Sequence, residues 1–257
     1  MRIFVLWAMP LLAHDMWIEP SAFLVENGQN IAMRLRVGEN LLGDPLPRSS
    51  RLIQEFVIED AMGRRAVVGR EGMDPAGLLR VMNPGSQVIG YYSKPSQVEL
   101  PAEKFNEYLA LEGLDSIAAL RARRKEMGMD VKESFSRCAK SLLAAGAGSG
   151  DRVLGFPLEL FAEKSPYGLT VGESIPVQLI YDKRPLVGAL VVAVNRMNPA
   201  LKQSARTDKS GRVRLKLGAE GMWMIKAVHM IPVGAEYASF WASLTFEMRA
   251  AVAVSKR

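Results

Sequence analysis

Ser174-Ile175-Pro176-Val177-Gln178-Leu179-Ile180-Tyr181 alternates apolar with polar side chains over one strand length, and the same pattern recurs on both sides of it. Upstream lies Pro157-Leu158-Glu159-Leu160-Phe161. Downstream come Ala189-Leu190-Val191-Val192-Ala193-Val194, the turn Thr207-Asp208-Lys209-Ser210-Gly211, Val213-Arg214-Leu215-Lys216-Leu217, and an apolar run from Met222 to Ile231. A period of two marks a strand with one face buried, and strands at this regular spacing with short turns between them indicate a β-sandwich.

The N-terminal part reads the same way. Ile31-Ala32-Met33-Arg34-Leu35-Arg36-Val37 alternates and stops at Gly38, and Phe56 to Val68 reads as strand, turn and strand around Met62-Gly63. Asp74-Pro75-Ala76-Gly77 and Asn83-Pro84-Gly85-Ser86 are turn sequences, and Val88-Ile89-Gly90-Tyr91-Tyr92 resumes an extended segment. Between Pro101 and Ala145 the period changes: Phe105, Tyr108, Leu109, Leu114, Ile117 and Leu120 recur at three- and four-residue spacing, which predicts helix. Phe135 to Lys140 is read as part of that helical stretch, and the Gly/Ser-rich segment over 144–151 as a linker. Its glycines follow a predicted helix and lack the Lys-Ser/Thr of a phosphate-binding loop.

The expected fold is therefore mainly β, with two immunoglobulin- or transthyretin-like sandwich domains and a helical insertion between them. The boundaries are a leader over 1–13, an N-terminal β domain over 14–100, the helical insertion and linker over 101–150, and a C-terminal sandwich over 151–257. Composition agrees with a globular protein: 49% of the 257 residues are hydrophobic and 23% charged. The net charge is +6, yet the basic residues are scattered, and the densest group, Arg121, Arg123, Arg124 and Lys125, spreads around a predicted helix. That is a solvated face, with no nucleic-acid footprint.

The first thirteen residues carry one basic residue, Arg2, then Ile3 to Ala13, and they read as a short secretory signal ending before His14-Asp15. The run is far below the roughly 20 apolar residues of a spanning helix. A periplasmic or secreted product without a transmembrane helix is expected, the alternative being a buried first strand. Cys138 is the lone cysteine, which excludes an internal disulfide and leaves a small packing residue.

Cleavage after Ala13 would make His14 the first residue. An N-terminal histidine offers its α-amine and imidazole Nδ1 to one metal ion, and His14 and His229 are the only two histidines. A nitrogen from His229 would complete a three-nitrogen set of the histidine-brace kind, suited to copper, nickel, cobalt or zinc. Asp15 and Glu19 are near enough in sequence to add an oxygen ligand or to accept an imidazole N–H. The competing reading makes His229 a hydrogen-bonded core residue. Alternation places Trp223, Ile225, Ala227 and His229 on one face of their strand and Met222, Met224, Val228 and Met230 on the other, so the methionines are core-fillers first. HExxH, GxSxG and Walker motifs are missing, and no spacing of carboxylates picks out an acid/base pair; no enzyme is expected.

His14-Asp15-Met16-Trp17-Ile18-Glu19-Pro20-Ser21 resembles the HDFWLEPS opening of a bacterial family of exported proteins of unknown function, often described as nickel or cobalt uptake-associated periplasmic proteins. Lys104-Phe105-Asn106-Glu107-Tyr108-Leu109, Arg206-Thr207-Asp208 with Gly211-Arg212-Val213, His229-Met230 and Phe240 to Glu247 are similar to later parts of it. The resemblance implies sandwich domains and nickel or cobalt uptake, and it carries over to His14 and His229; with Asp15 added for its place beside His14 and copper for its affinity for nitrogen donors, the expected metal residues are His14, Asp15 and His229, the cofactor a nickel, cobalt or copper ion, and the partner a membrane transporter component. The chain departs from the pattern at Met16, Cys138 and Glu236-Tyr237-Ala238, the last removing an acidic side chain at Ala238. The other reading is a structural or adhesion-type binding module presenting aromatics such as Tyr91-Tyr92 or Phe240-Trp241.

Overall fold

The structure, a computed structural model, describes residues 14–146 and 150–249; the expected leader over 1–13 lies outside the described residues. In chain order the first half forms β1 (Asp15–Pro20), β2 (Asn30–Glu39), β3 (Leu42–Pro45), β4 (Ile53–Asp60), β5 (Gly63–Ala66), β6 (Gly77–Arg80), β7 (Gly85–Ser93) and β8 (Ser96–Leu100). Two helices, α1 (Ala102–Leu111) and α2 (Asp115–Arg124), precede β9 (Val131–Ala145). The second half adds β10 (Leu158–Ala162), β11 (Ser174–Tyr181), β12 (Arg184–Pro185), β13 (Leu190–Asn195), β14 (Gln203–Arg206), β15 (Arg212–Lys216), β16 (Gly221–Val233) and β17 (Glu236–Met248).

The protein is mainly β, as the alternation requires. The division into two sandwiches is different from the expectation. A nine-stranded sheet runs β14-β13-β16-β17-β9-β7-β4-β5, with β8 also pairing with β9, and so draws strands from both halves of the chain. The halves meet where β17 runs parallel to β9, with Trp241 opposite Arg137 and Ser243 opposite Ala139. A four-stranded sheet of β1, β2, β3 and β6 covers one face of this central sheet, and a four-stranded sheet of β10, β11, β12 and β15 covers the other.

Alternation along β16 sorts the core. Trp223, Ile225 and Ala227 pack with Leu158, Val177 and Leu215 of the β10–β15 layer. Met222 and Met224 pack on the opposite face with Trp17, Ile18 and Leu35 of the β1–β6 layer, and Val228 and Met230 pack with Phe105, Leu109 and Ile117 of the helices. The methionines flanking His229 are core-fillers, on the face away from it.

Three local expectations are corrected. Residues Phe135 to Lys140 are strand, and the helices end at Arg124. β9 sits in the middle of the central sheet and is covered on both faces, so its run Cys138 to Ala145 is small or apolar except for the buried Lys140 and lacks the alternation that identifies a half-buried strand. Ala144 and Ala145 belong to this strand and not to a linker, and Asp151 is buried in an ion pair. Arg121 does not join a solvated face: it is buried, donates from Nη2 to the carbonyls of Glu126 and Met129 at 2.6 and 2.9 Å, and lies over the Phe105 ring.

Candidate functional site

His14 stands immediately before β1, and the β1–β2 register, with Asp15 opposite Gly38, carries it alongside Glu39. The β2–β3 turn fixes Glu39. Asn40 and Leu41 both have positive φ (52° and 62°), and Gly38 faces Gly43 so closely that a Cβ on Gly38 would come within 2.1 Å of the Leu42 carbonyl oxygen. Glycine at both positions is what lets this tight hairpin form. His14 Nε2 lies 3.8 Å from Glu39 Oε1, with 30% of the histidine side chain and 64% of the glutamate side chain exposed. Nδ1 has no hydrogen-bond partner among the described residues.

The backbone behind this surface imidazole is held firmly. Arg137 Nη1 donates to the His14 carbonyl at 2.7 Å, and its guanidinium lies over the rings of Phe135 and Trp241 at 5.3 and 5.7 Å. Burial pulls the Arg137 pKa down, against the opposing charge of Asp15. Ser243 and Thr245 of β17 donate to the carbonyls of Met16 and Ile18 at 2.7 and 2.8 Å. Three side chains of the central sheet thus fasten the outer layer's first strand.

Asp15 adds a buried charge contact. Lys226 Nζ lies 2.8 Å from Asp15 Oδ1 and 3.0 Å from Glu112 Oε1, with all three side chains at most 12% exposed. Burial works against the lysine's charge, but the two carboxylates outweigh it and hold its pKa above the usual lysine range. The carboxylate of Asp15 is therefore committed to Lys226 and turned into the protein, which removes it from the expected ligand set.

His229 lies elsewhere. It is opposite Phe240 in the β16–β17 register, and its ring centroid is 4.3 Å from that of Tyr181 on β11. Tyr181 also packs on Phe240 at 5.5 Å. His229 is half-buried, and burial lowers its pKa below 6.5. It faces the β10–β15 layer, whereas Arg137, Trp241 and Lys226, which hold His14 and Asp15, project from the other face. The structure does not bring His14 and His229 together: the central sheet stands between them, because residues 226 and 229 have opposite parity on one strand. Among the described residues no three His, Cys, Asp or Glu side chains lie close enough to share a metal ion.

Of the remaining residues singled out from the sequence, Cys138 is a buried packing residue whose thiol is pushed up to about 12 by burial. Glu19 is bound to Arg196 at 3.2 Å, away from His14. Tyr91 and Trp241 are buried, while Tyr92 and Phe240 are half-buried. Sequence reasoning missed Glu39, Glu112, Arg137 and Lys226. A signal existed for one of them, since Lys226 is the single charge inside an otherwise apolar strand, and such a charge needs a buried partner.

No curated protein matches the chain. Among solved structures, the D0-D1 domain of intimin is similar at 12% identity and a TM-score of 0.20, over 90% of this chain and 97% of that one. Dimeric latent PorU from Porphyromonas gingivalis is similar at 9% identity and a TM-score of 0.21, and there the chain spans 20% of the other's length. At those values the likenesses bear on neither fold nor function. The family model described as "Domain of unknown function (DUF4198)" matches residues 11–231, and the chain belongs to that family.

Proposed function

We propose that this is a periplasmic or secreted, non-catalytic protein that binds nickel, cobalt or copper for uptake or handling, with His14 as the first residue of the processed chain. The observation that carries the reading is the Glu39 carboxylate 3.8 Å from His14 Nε2. A histidine that binds metal through one ring nitrogen commonly gives its other N–H to a carboxylate, which fixes the tautomer and ring orientation. Closure of that 3.8 Å gap to a hydrogen bond on metal binding would hold the proton on Nε2 and leave Nδ1 to act with the α-amine. The donor set fits a small nitrogen chelate open to water or to a donor from a membrane transporter component. The Arg137 clamp on the His14 carbonyl makes this terminus rigid, so little ordering is required when an ion binds.

His229 has no part in this site. Isothermal titration of Cu(II) and Ni(II) into protein beginning at His14 should give one ion per chain, with His14→Ala weakening it by more than about tenfold and His229→Ala leaving it unchanged. Undiminished binding by His14→Ala sinks the reading.

The half-buried Tyr181, His229 and Phe240 favour a second reading, a binding module that works without metal through this aromatic cluster. Binding of a polymer or protein partner that survives His14→Ala and is lost in Tyr181→Ala would select it.

A further inference from the structure

We infer that Lys140 and Asp151 become joined by an intramolecular isopeptide bond, with Glu159 relaying the proton. This is independent of the metal reading. Lys140 projects from the middle of β9 toward the β10–β15 layer, Glu159 comes from β10, and Asp151 from the connection between them. Their side chains are 2%, 0% and 1% exposed. Lys140 Nζ lies 2.8 Å from Asp151 Oδ1 and 2.9 Å from Glu159 Oε1. It also donates to the carbonyls of Arg152 and Leu160, at 2.8 and 3.1 Å. That places four oxygens around an ammonium with three protons, and the amine is pressed against the carboxyl group in a site closed to water.

The reaction balances within the three side chains. The Lys140 ammonium gives one proton to Glu159, and its nitrogen lone pair attacks Cγ of Asp151. Backbone N–H groups of Arg152 and Ala162, at 2.7 and 2.8 Å from the two Asp151 oxygens, stabilise the negative charge that develops on the tetrahedral carbon's oxygens. The C–O bond breaks as Glu159 returns the proton and the second amine proton follows, so that ammonium and carboxylate become one amide and one water. Holding the two groups at contact distance supplies the effective concentration that an intermolecular condensation lacks.

Condensation also improves the electrostatics. Burial disfavours the charged form of Asp151 and pushes its carboxyl above the ordinary range. Amide formation removes that charge and the lysine's together. Glu159 keeps its own donors, the backbone N–H groups of Leu154, Gly155 and Phe156 at 2.6, 2.9 and 3.3 Å. In a chain with a single cysteine, this bond is a covalent tie between the central sheet and the connection that leads to β10, one that no internal disulfide can supply.

Intact mass spectrometry of the purified full chain tests it. The wild type should weigh about 18 Da less than its sequence, with tandem spectra of a digest showing Lys140 joined to Asp151. Asp151→Asn should lose about 17 Da as ammonia, giving the same amide, and Glu159→Gln and Lys140→Arg should keep their full masses. Circular dichroism establishes that each variant is folded. A folded wild type of full sequence mass overturns the inference, as does a loss that the digest places at any other residue. Full loss of water in Glu159→Gln overturns the relay.

Discussion

Lys226 Nζ sits 2.8 Å from Asp15 Oδ1, and through that contact the first strand of the outer layer is tied to the central sheet beside Glu112, the residue that follows α1. Removing the lysine would strand two buried carboxylates. Lys226→Met should therefore cost about 3–5 kcal/mol in urea unfolding, the usual range when one member of a buried pair is deleted. Asp15→Asn should cost less, because Glu112 still compensates Lys226. The pH dependence has a definite sign: the folded pKa of Lys226 lies above its ordinary 10.5, so the stabilisation is complete below that value and lost as pH rises through the folded pKa.

Glu39 offers the cleanest separation of ligand from support. Glu39→Gln keeps the hairpin and the side-chain length and removes the carboxylate that faces His14 Nε2. Metal affinity should fall by about 10- to 100-fold while one ion per chain is still bound. An unchanged affinity in the same calorimetric titration would mean that Glu39 does not orient the ring.

His229 predicts an acid sensitivity that has nothing to do with metal. Burial among Tyr181 and Phe240 lowers its folded pKa below 6.5, so the native state resists protonation that the unfolded chain accepts. Its contribution is intact above the ordinary value and is lost as pH falls from there through the folded pKa. Thermal unfolding at about pH 7.5 and about pH 5 should show a smaller drop for His229→Phe than for wild type. Equal drops would assign the acid sensitivity to other groups.

Half-buried strands were legible because one face of each meets water: β2 alternates from Ile31 to Val37, and β11 alternates from Ile175 to Leu179. The helix period at Phe105, Tyr108 and Leu109 was equally plain, since one side of α1 packs on Trp241 and Tyr237. β9 was not, because a strand enclosed by two layers has no polar face to betray its period. Nor does alternation along single strands say which strands pair. The parallel contact of β17 with β9 joins residues about a hundred positions apart, and it turns two expected sandwiches into layers on one shared sheet. The site shows the same limit. His14 was found from its place after an apolar run, and the parity argument that separated His229 from the methionines was sound. That same parity also separates His229 from His14, but only once Lys226 is seen to hold Asp15 does the sequence acquire a frame in which to apply it.

Electron paramagnetic resonance of the Cu(II)-loaded protein that begins at His14 tests the central claim most directly. Hyperfine structure from the nitrogens of His14 alone, lost in His14→Ala and identical in His229→Ala, is the predicted result. A spectrum that changes in His229→Ala would contradict it, because it would require the two histidines to reach one ion across the central sheet.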